Sequence, residues 1–556
     1  MAYETLSKKE RKARHLAVAA NLEAGWGGEE VEVVEILASH YVDAYRAAPD
    51  ATDAADIKAK AVDALTRAGQ RSLSLAAPHL AEGYFEQAIE LTDDPRSLGL
   101  LHEQAGQAAL RAVHVAAASN HYEQAIALFD QEGRSRDSAR VASAFADVAF
   151  GDGRLEEAGA RMQQAFDVLS AGEPDETLAS LAAQWARMLF FTGKADEAFE
   201  RNEQALALAE KLQLPEVFSQ AINTKGVILT NRGRNEEALL LMREALRIAL
   251  DNDLHGATLR AYNNVISTST VLERYDQVLP LLDEATEWSR KVGSRLGVVG
   301  FPLSKASLFL VMGRWDEALS LVAEHEQTPE AKDLHYIPDL LSAVAIHARR
   351  GDLDQARAAL EKHSDVEESE EIQLRWIYSV YRAELAAAEG RPREVLEVAG
   401  RAISMKDVLG PTALSWDALP EAVEAACSVG DDARAEEILA ELEELYPGEL
   451  TPSMRGQRER LRAKVDVAKG QRERVERRLQ NAANEFRAIP MPFWLAVTLL
   501  EHAEWLVGQG RAEEAEPLLT EARQIFEGLR ARPWLERAGR LSDQAAAADA
   551  APTRVS

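Results

Sequence analysis

The chain has 556 residues, of which 63 are Lys or Arg and 92 are Asp or Glu, so its formal net charge is -29. This balance disfavours non-specific binding to nucleic acid or to an anionic membrane surface. A single cysteine, Cys427, excludes an intramolecular disulfide and favours a reducing compartment. Because no apolar run is long enough to span a bilayer and the N-terminus lacks a signal-peptide core, we predict a cytoplasmic protein without a membrane segment.

Residues 1–78 are predicted to form a helical lead-in to the rest of the chain. Ser7 precedes a basic stretch and is a suitable N-cap for the first helix. A second helix is predicted over residues 31–47, where apolar side chains recur at helical spacing, and a third over residues 54–76.

Residues 79–150 are predicted to hold two irregular repeats. Their marks are the segments 83–88 and 120–125, in which Gly83 or Asn120 stands five residues before an alanine. Glycine and asparagine both tolerate the left-handed conformation that ends many helices, so we expect each of them to lie at a turn.

Residues 151–535 form a regular array in which the phrase of residues 233–238 recurs every 38 to 40 residues. Each copy begins with a glycine and has Ala or Val five residues later, and one degenerate copy begins at Glu273. The glycines are Gly153, Gly193, Gly233, Gly313, Gly351, Gly390, Gly430, Gly470 and Gly510. A fixed period of this size predicts stacked supersecondary units.

Each unit is predicted to consist of a helix A, the glycine turn and a helix B. The residue seven positions before the glycine is small or β-branched in nearly every unit, which lets the two helices approach closely. We therefore predict an all-α fold, an α-α solenoid that winds as a right-handed superhelix and whose repeats contact only their neighbours. The Ala-rich residues 536–556 are predicted to be a disordered tail.

The glycine phrase, with a small residue seven positions before it, resembles the tetratricopeptide repeat. The 40-residue spacing resembles the long-repeat variety found in large bacterial signalling regulators. Residues 11–50 are similar to the sequence that follows the ATPase module in multidomain bacterial cyclase/ATPase proteins, at the start of their repeat region. This second resemblance implies either a C-terminal regulatory fragment of such a protein or transcriptional regulator, with catalytic domains in cis or in trans, or a stand-alone repeat protein.

The sequence gives no support for catalysis, because it lacks a phosphate-binding loop, a dinucleotide fingerprint, a zinc-protease motif and a nucleophile elbow. We predict a protein that is not an enzyme and has neither a cofactor nor a metal site. Four histidines, which we interpret as partly buried helix residues, fall close together in the sequence: His325, His335, His347 and His363. Residues 455–478 carry ten basic and four acidic residues, a basic stripe that pairs with acidic neighbours or binds an anion or nucleic acid.

The leading hypothesis is an interaction scaffold that binds a protein or peptide partner on a concave surface of A helices. The tetratricopeptide resemblance implies that the groove is lined thirteen, ten, six and three residues before each turn glycine. Carried onto this chain, those positions include Arg187, Gln220, Asn223, Thr230, Arg260, Asn263, Ser267 and Thr270. Asn223 and Asn263 either bind a peptide backbone or bridge adjacent helices.

Overall fold

The structure is a computed structural model that describes residues 7–26, 33–75, 77–112, 114–151, 154–328, 336–369, 371–405, 409 and 418–550. Over these residues it contains twenty-seven α-helices, one short 3-10 helix and no strand. The prediction of an all-α fold is therefore confirmed. None of the helices in the described ranges combines the length and apolarity needed to cross a membrane.

The chain divides into two compact units, Met1–Met188 and Leu189–Ser556. The first unit holds eight complete helices, and a ninth begins in it and ends in the second unit. They are α1 (Lys8–Trp26), α2 (Val34–Ala47), α3 (Ala54–Ser74), α4 (Pro78–Glu90), α5 (Pro95–Arg111), α6 (Val115–Gln131), α7 (Ser135–Gly151), α8 (Leu155–Ser170) and α9 (Glu176–Phe191).

The second unit continues the alternation of A and B helices. Its first half contains α10 (Ala195–Leu212), α11 (Pro215–Asn231), α12 (Asn235–Asp251), α13 (His255–Val271), α14 (Tyr275–Val292), α15 (Arg295–Val311), α16 (Trp315–His325), α17 (Ile337–Arg350) and α18 (Leu353–Glu361). Its second half contains α19 (Ile372–Ala388), α20 (Pro392–Ser404), α21 (Ala418–Ser428), α22 (Asp432–Glu443), α23 (Pro452–Ala468), α24 (Val475–Ala488), α25 (Pro492–Gly508), α26 (Ala512–Leu529) and α27 (Arg532–Ala550).

The turn between helix A and helix B is left-handed, as the glycine phrase predicts. Eight of the nine turn glycines have φ between +70° and +82°, and Gly153 lies outside the described residues. Glu273, the degenerate copy, has φ +58° and so takes the same conformation with a side chain in place. The small residues of the seam are buried, including Ala186, Ala306 and Ala238.

The lead-in helices also agree with the sequence where the structure describes them. Ser7 caps α1, because its hydroxyl accepts a hydrogen bond from the Glu10 backbone N–H at 3.3 Å. The Glu10 carboxylate in turn accepts the Ser7 backbone N–H at 2.9 Å, which completes a capping box. Residues 31–32 of the second predicted helix and residue 76 of the third lie outside the described residues.

The predicted turns of the two irregular repeats are wrong. Gly83 lies inside α4 and Asn120 lies inside α6, so neither ends a helix. The close helix contacts show the true register, because a Cβ on each helix A glycine would meet a ring or side chain of helix B. These pairs are Gly69 with Phe85, Gly106 with Tyr122 and, in the regular array, Gly226 with Met242.

The register of these two repeats is therefore seven residues earlier than the sequence phrase suggested. Seven residues are about two helical turns, so a shift of seven leaves the same face of helix B buried. Ala81 and Ala88 are both fully buried for this reason. A small-residue pattern alone cannot distinguish the two registers, and here no turn glycine resolves the ambiguity.

The predicted disordered tail is also wrong over residues 536–550, because α27 runs through them. Ala538 and Leu541 are buried, and Arg537 forms an ion pair with Glu504 at 2.6 Å. These residues supply one more helix A for the array. Residues 551–556 lie outside the described residues.

The second unit is not a linear stack of neighbours, which corrects the expectation that each repeat contacts only the next. Residues about 180 positions apart meet at several points. The Arg350 Nε donates to the Leu529 carbonyl at 3.1 Å, and the Arg532 Nε donates to the Arg350 carbonyl at 3.1 Å. The Trp315 and Phe493 rings lie 5.7 Å apart. Residues 303–385 and 482–541 therefore contribute to one hydrophobic core.

Candidate interaction surface

The sequence-predicted groove residues of the second unit lie on α11 and α13. Gln220, Asn223 and Thr230 belong to α11, and the other four, Arg260, Asn263, Ser267 and Thr270, belong to α13. Arg187 lies on α9 and belongs to the first compact unit.

The two asparagines occupy different environments. Asn223 is only 1% exposed, and its Oδ1 accepts a hydrogen bond from the Asn264 Nδ2 at 3.1 Å. It therefore bridges α11 and α13, while its Nδ2 is buried without a hydrogen-bond partner. Asn263, in contrast, is half-buried.

Arg260 also links adjacent repeats. Its Nη2 donates to the Gln220 carbonyl at 2.6 Å and contacts the Thr224 hydroxyl at 3.4 Å. These bonds hold the guanidinium across the α11–α13 interface. The arrangement makes Arg260 a structural support for the surface rather than a freely projecting cation.

The hydroxyl residues of α13 differ in accessibility. Ser267 is exposed, whereas Thr270 is half-buried and donates to the Ile266 carbonyl at 2.9 Å. Thr230 makes the equivalent bond to the Gly226 carbonyl at 3.2 Å on α11. Asn263 and Ser267, one helical turn apart, therefore form the most accessible polar part of the predicted groove.

The polar face continues onto residues that sequence reasoning missed. Ser304 and Ser307 on α15 donate to the two carboxylate oxygens of Asp339 on α17, at 3.0 and 2.6 Å. Burial raises the pKa of Asp339, and the two serine hydroxyls oppose that shift. Ser307 stands six residues before Gly313, just as Ser267 stands six residues before the turn residue Glu273. The repeat register could therefore have identified Ser307 from the sequence.

The same face is closed in the later pairs of the second unit. Ala345, six residues before Gly351, is fully buried, and Leu500, ten before Gly510, is fully buried as well. The Arg349 guanidinium lies 4.4 Å from the Phe493 ring centroid and forms a buried ion pair with Glu384 at 2.6 Å. Side chains therefore cover these groove positions, the inner face of the A helices, on α17 and α25, whereas Ser267 on α13 is exposed.

A buried charge network reinforces this closure. Arg460 on α23 is completely buried, pairs with Glu424 of α21 and binds Glu501 of α25 at 2.8 Å. Lys464 lies 3.0 Å from both of these carboxylates. The Trp494 ring covers the Arg460 guanidinium at 4.8 Å. Every charge of the network thus has a partner of opposite sign.

The basic stripe of residues 455–478 is largely neutralised within the fold. Six of its ten basic residues form ion pairs, namely Arg455, Arg460, Arg462, Lys464, Lys469 and Arg478. Their partners are Asp and Glu residues of this chain. Pairing with acidic neighbours, the first of the two sequence interpretations, accounts for these six residues.

The other singled-out residues do not converge. His325 is buried and its Nδ1 lies 2.8 Å from the Leu321 carbonyl, while burial lowers the pKa of His347 and of His363. His335 lies outside the described residues. Cys427 on α21 is half-buried, and burial raises the pKa of its thiol.

Comparison with known proteins gives structural neighbours only. No family model matches the chain. No curated protein matches it either. A solved Rap protein complexed with competence and sporulation factor is 12% identical, with a TM-score of 0.44, and the match covers 69% of this chain and 99% of that chain. The Cut9–Hcn1 hetero-tetramer of APC/C is 14% identical at a TM-score of 0.47, covering 88% and 95%.

The human IFIT1 dimer with PPP-AAAA is 13% identical at a TM-score of 0.39, and the match covers 74% of this chain and 91% of that chain. These neighbours are tetratricopeptide-type helical-repeat proteins. At such identities the likeness concerns the fold alone. Helix pairs that repeat every 38 to 40 residues around left-handed turns make this chain a tetratricopeptide-like helical-repeat protein of the α-solenoid class.

Proposed function

We propose that the chain is a non-catalytic interaction protein that binds an extended segment of a partner protein along the inner faces of α11 and α13. The observation that carries this proposal is the contrast between two equivalent positions. Ser267 is exposed, whereas Ala345, in the same register two repeats later, is fully buried. A partner therefore finds an accessible inner face on the early helices of the second unit.

The chemistry of this face suits a peptide backbone. Asn263 offers a donor and an acceptor, and the Ser267 hydroxyl offers both as well. Arg260 and Asn223 hold α11 and α13 together through bonds between adjacent repeats. Ligand-facing groups are thus supported by fixed neighbours, which lowers the entropy lost on binding. The regulatory role beside a cyclase or ATPase stays a prediction from the resemblance.

A photoreactive amino acid at Ser267 tests the proposal in the cells that make the protein. We expect a discrete covalent adduct with one partner, identified by mass spectrometry. Leu240 on α12 is 69% exposed and provides the matched control position on a B helix. An adduct of the same identity and yield from Leu240 would show that the inner face is not the binding surface.

The identified partner then permits a quantitative comparison of the two asparagines. We expect Asn263→Ala to weaken binding about fivefold, because a net hydrogen bond is worth about 1 kcal/mol, and to leave the melting temperature unchanged. Asn223→Ala should leave the affinity within about twofold, because Asn223 bonds to Asn264 and not to solvent. Unchanged affinity for Asn263→Ala would contradict the proposal.

A further inference from the structure

Two histidines and a glutamate converge in the first unit, on helices that no part of the interaction surface uses. His79 and Glu82 lie in the first turns of α4, and His114 is the residue that precedes α6. One ligand atom from each lies within 4.8 Å of the other two. The closest pair is the His114 Nδ1 and a Glu82 carboxylate oxygen, 2.7 Å apart.

The local fold explains why these three side chains meet. His79 and Glu82 are three residues apart on α4, so they share one face of that helix. α4 and α6 are the B helices of successive pairs, and the corrected register places their starting residues side by side. The His79 and His114 ring centroids lie 4.9 Å apart. Both histidines are exposed, whereas Glu82 is buried, so the cluster opens to solvent on one side.

The donor set has a definite chemical preference. Two imidazoles and one carboxylate are the ligands of zinc sites that keep an open fourth position, at about 2.0–2.2 Å from the ion. Tetrahedral coordination at that length separates ligand atoms by about 3.3 Å, between the 2.7 Å of the His114–Glu82 pair and the 4.8 Å that bounds the whole set. A site with one carboxylate is poor for Ca²⁺ or Mg²⁺, which require several oxygen ligands.

The helix ends strengthen this discrimination. Both α4 and α6 present their N-termini to the cluster, and a helix N-terminus carries a partial positive charge. A hard cation held only by electrostatic attraction is disfavoured there. An ion that forms coordinate bonds with neutral imidazole nitrogens overcomes this repulsion, and the Glu82 carboxylate offsets it.

We propose that His79, Glu82 and His114 form a binding site for one divalent transition-metal ion of the zinc class, which bridges α4 and α6. The sequence analysis predicted no metal site. The signals it passed over are the His-x-x-Glu spacing after Pro78 and a second histidine 35 residues after the first, close to one repeat length. Bound metal couples the two irregular repeats of the first unit directly.

Titration of the untagged, metal-free full chain with Co²⁺ tests the site. We expect visible d–d absorption bands that saturate at one equivalent and that one equivalent of Zn²⁺ abolishes. His79→Ala and His114→Ala each remove a ligand and should weaken binding by about a hundredfold or more, since loss even of an outer-shell partner costs 10–100-fold. Because both histidines are exposed, circular dichroism should show that these variants remain folded.

Another histidine pair of this unit, His102 with His121, supplies a matched control. The His102 and His121 Nδ1 atoms lie 3.0 Å apart, and the Glu86 carboxylate stands 4.0 Å from the His121 Nε2. His102→Gln should leave the Co²⁺ spectrum and the affinity unchanged. Absence of Co²⁺ and Zn²⁺ binding at millimolar metal would overturn the proposal. It would equally be overturned by binding that survives His79→Ala and His114→Ala but is lost in His102→Gln.

Discussion

Replacing Arg460 with alanine is expected to destabilise the second unit by about 3–5 kcal/mol, the usual cost of removing one partner from a buried ion pair. The substitution leaves Glu424 and Glu501 with Lys464 as the remaining cation that pairs with both. It also removes the side chain that the Trp494 ring covers. Chemical denaturation followed by circular dichroism measures the loss.

The control for this prediction lies on the same helix. Arg458 is half-buried, and its substitution by alanine should change the free energy of unfolding by less than about 0.5 kcal/mol, as for most surface changes. Adding Glu501→Gln to Arg460→Met should recover part of the loss, because the remaining Glu424 carboxylate still pairs with Lys464 at 3.0 Å. Equal effects of Arg460→Ala and Arg458→Ala would contradict the buried network.

The network also predicts how this loss depends on pH. Burial alone would raise the pKa of Glu424, but Lys464 and Arg460 outweigh it and hold that pKa well below its ordinary value. A carboxyl group whose pKa is lowered in the folded state stabilises the fold at pH values above its unfolded-state pKa. This stabilisation is lost as the pH falls through the folded-state pKa. Without Arg460 the carboxyl groups protonate more readily. The deficit of Arg460→Ala should therefore be largest near pH 7 and smaller near pH 4.

Glu273→Ala is the second substitution with a large expected effect, about 1–3 kcal/mol of destabilisation. The Glu273 carboxylate accepts a hydrogen bond from the Thr451 hydroxyl at 2.7 Å and another from the Ser453 backbone N–H at 2.9 Å. It thus caps the N-terminus of α23, which begins 179 residues after it in the sequence. Hydrogen exchange should show lost protection both near residue 273 and over residues 451–458.

A conservative variant separates the charge of Glu273 from its hydrogen bonds. Burial raises the pKa of Glu273. The hydrogen bonds from Ser453 and Thr451 lower that pKa, but the effect of burial is larger. A raised folded-state pKa gives stability that is present below the unfolded pKa and is lost as pH rises through the folded pKa. Wild type should therefore lose stability relative to Glu273→Gln as pH rises from about 4 to 7. A difference that does not change with pH would show that the carboxylate is not buried.

The sequence predicted most of the fold because a repeat imposes the same local requirement many times. Each turn needs a residue that adopts a left-handed φ, and each close helix contact needs a small residue. Glycine at the turns and alanine in the seam therefore recur at a fixed spacing. The irregular repeats escaped this reasoning because the Gly-x-x-x-x-Ala phrase occurs there within single helices. Residues such as Gly83 satisfy the phrase without making a turn.

The closure of the second unit was not predictable from the repeat pattern. It depends on contacts between residues about 180 positions apart, such as Glu273 with Ser453, and no local periodicity encodes such a distance. Two departures from the pattern did carry a signal. Glu273 replaces a turn glycine, and Arg460 places a cation where the other units of the regular array have uncharged side chains. Glu273 binds Ser453, far outside its own repeat, and Arg460 pairs with Glu424 and Glu501 on the neighbouring A helices.

The sequence selected the residues of the candidate surface but not their exposure. The tetratricopeptide register selected Asn263 and Ser267, which are accessible, but also Asn223 and Arg260, whose bonds join adjacent helices. Register fixes the face on which a residue lies. Whether that face is open or packed depends on the return of the chain over it, which only the three-dimensional structure shows.

Thiol labelling at two equivalent positions tests most directly the claim that closure divides the inner face into accessible and packed parts. Ser267→Cys and Ala345→Cys are small changes at the same register, introduced separately with Cys427→Ala in the background. Ser267→Cys should react with a thiol reagent at nearly the rate of an unfolded peptide. Ala345→Cys, at a fully buried position, should react only through rare opening and so at least about a thousandfold more slowly. Comparable rates at the two positions would contradict the account, because they would show an inner face that is open along the whole array.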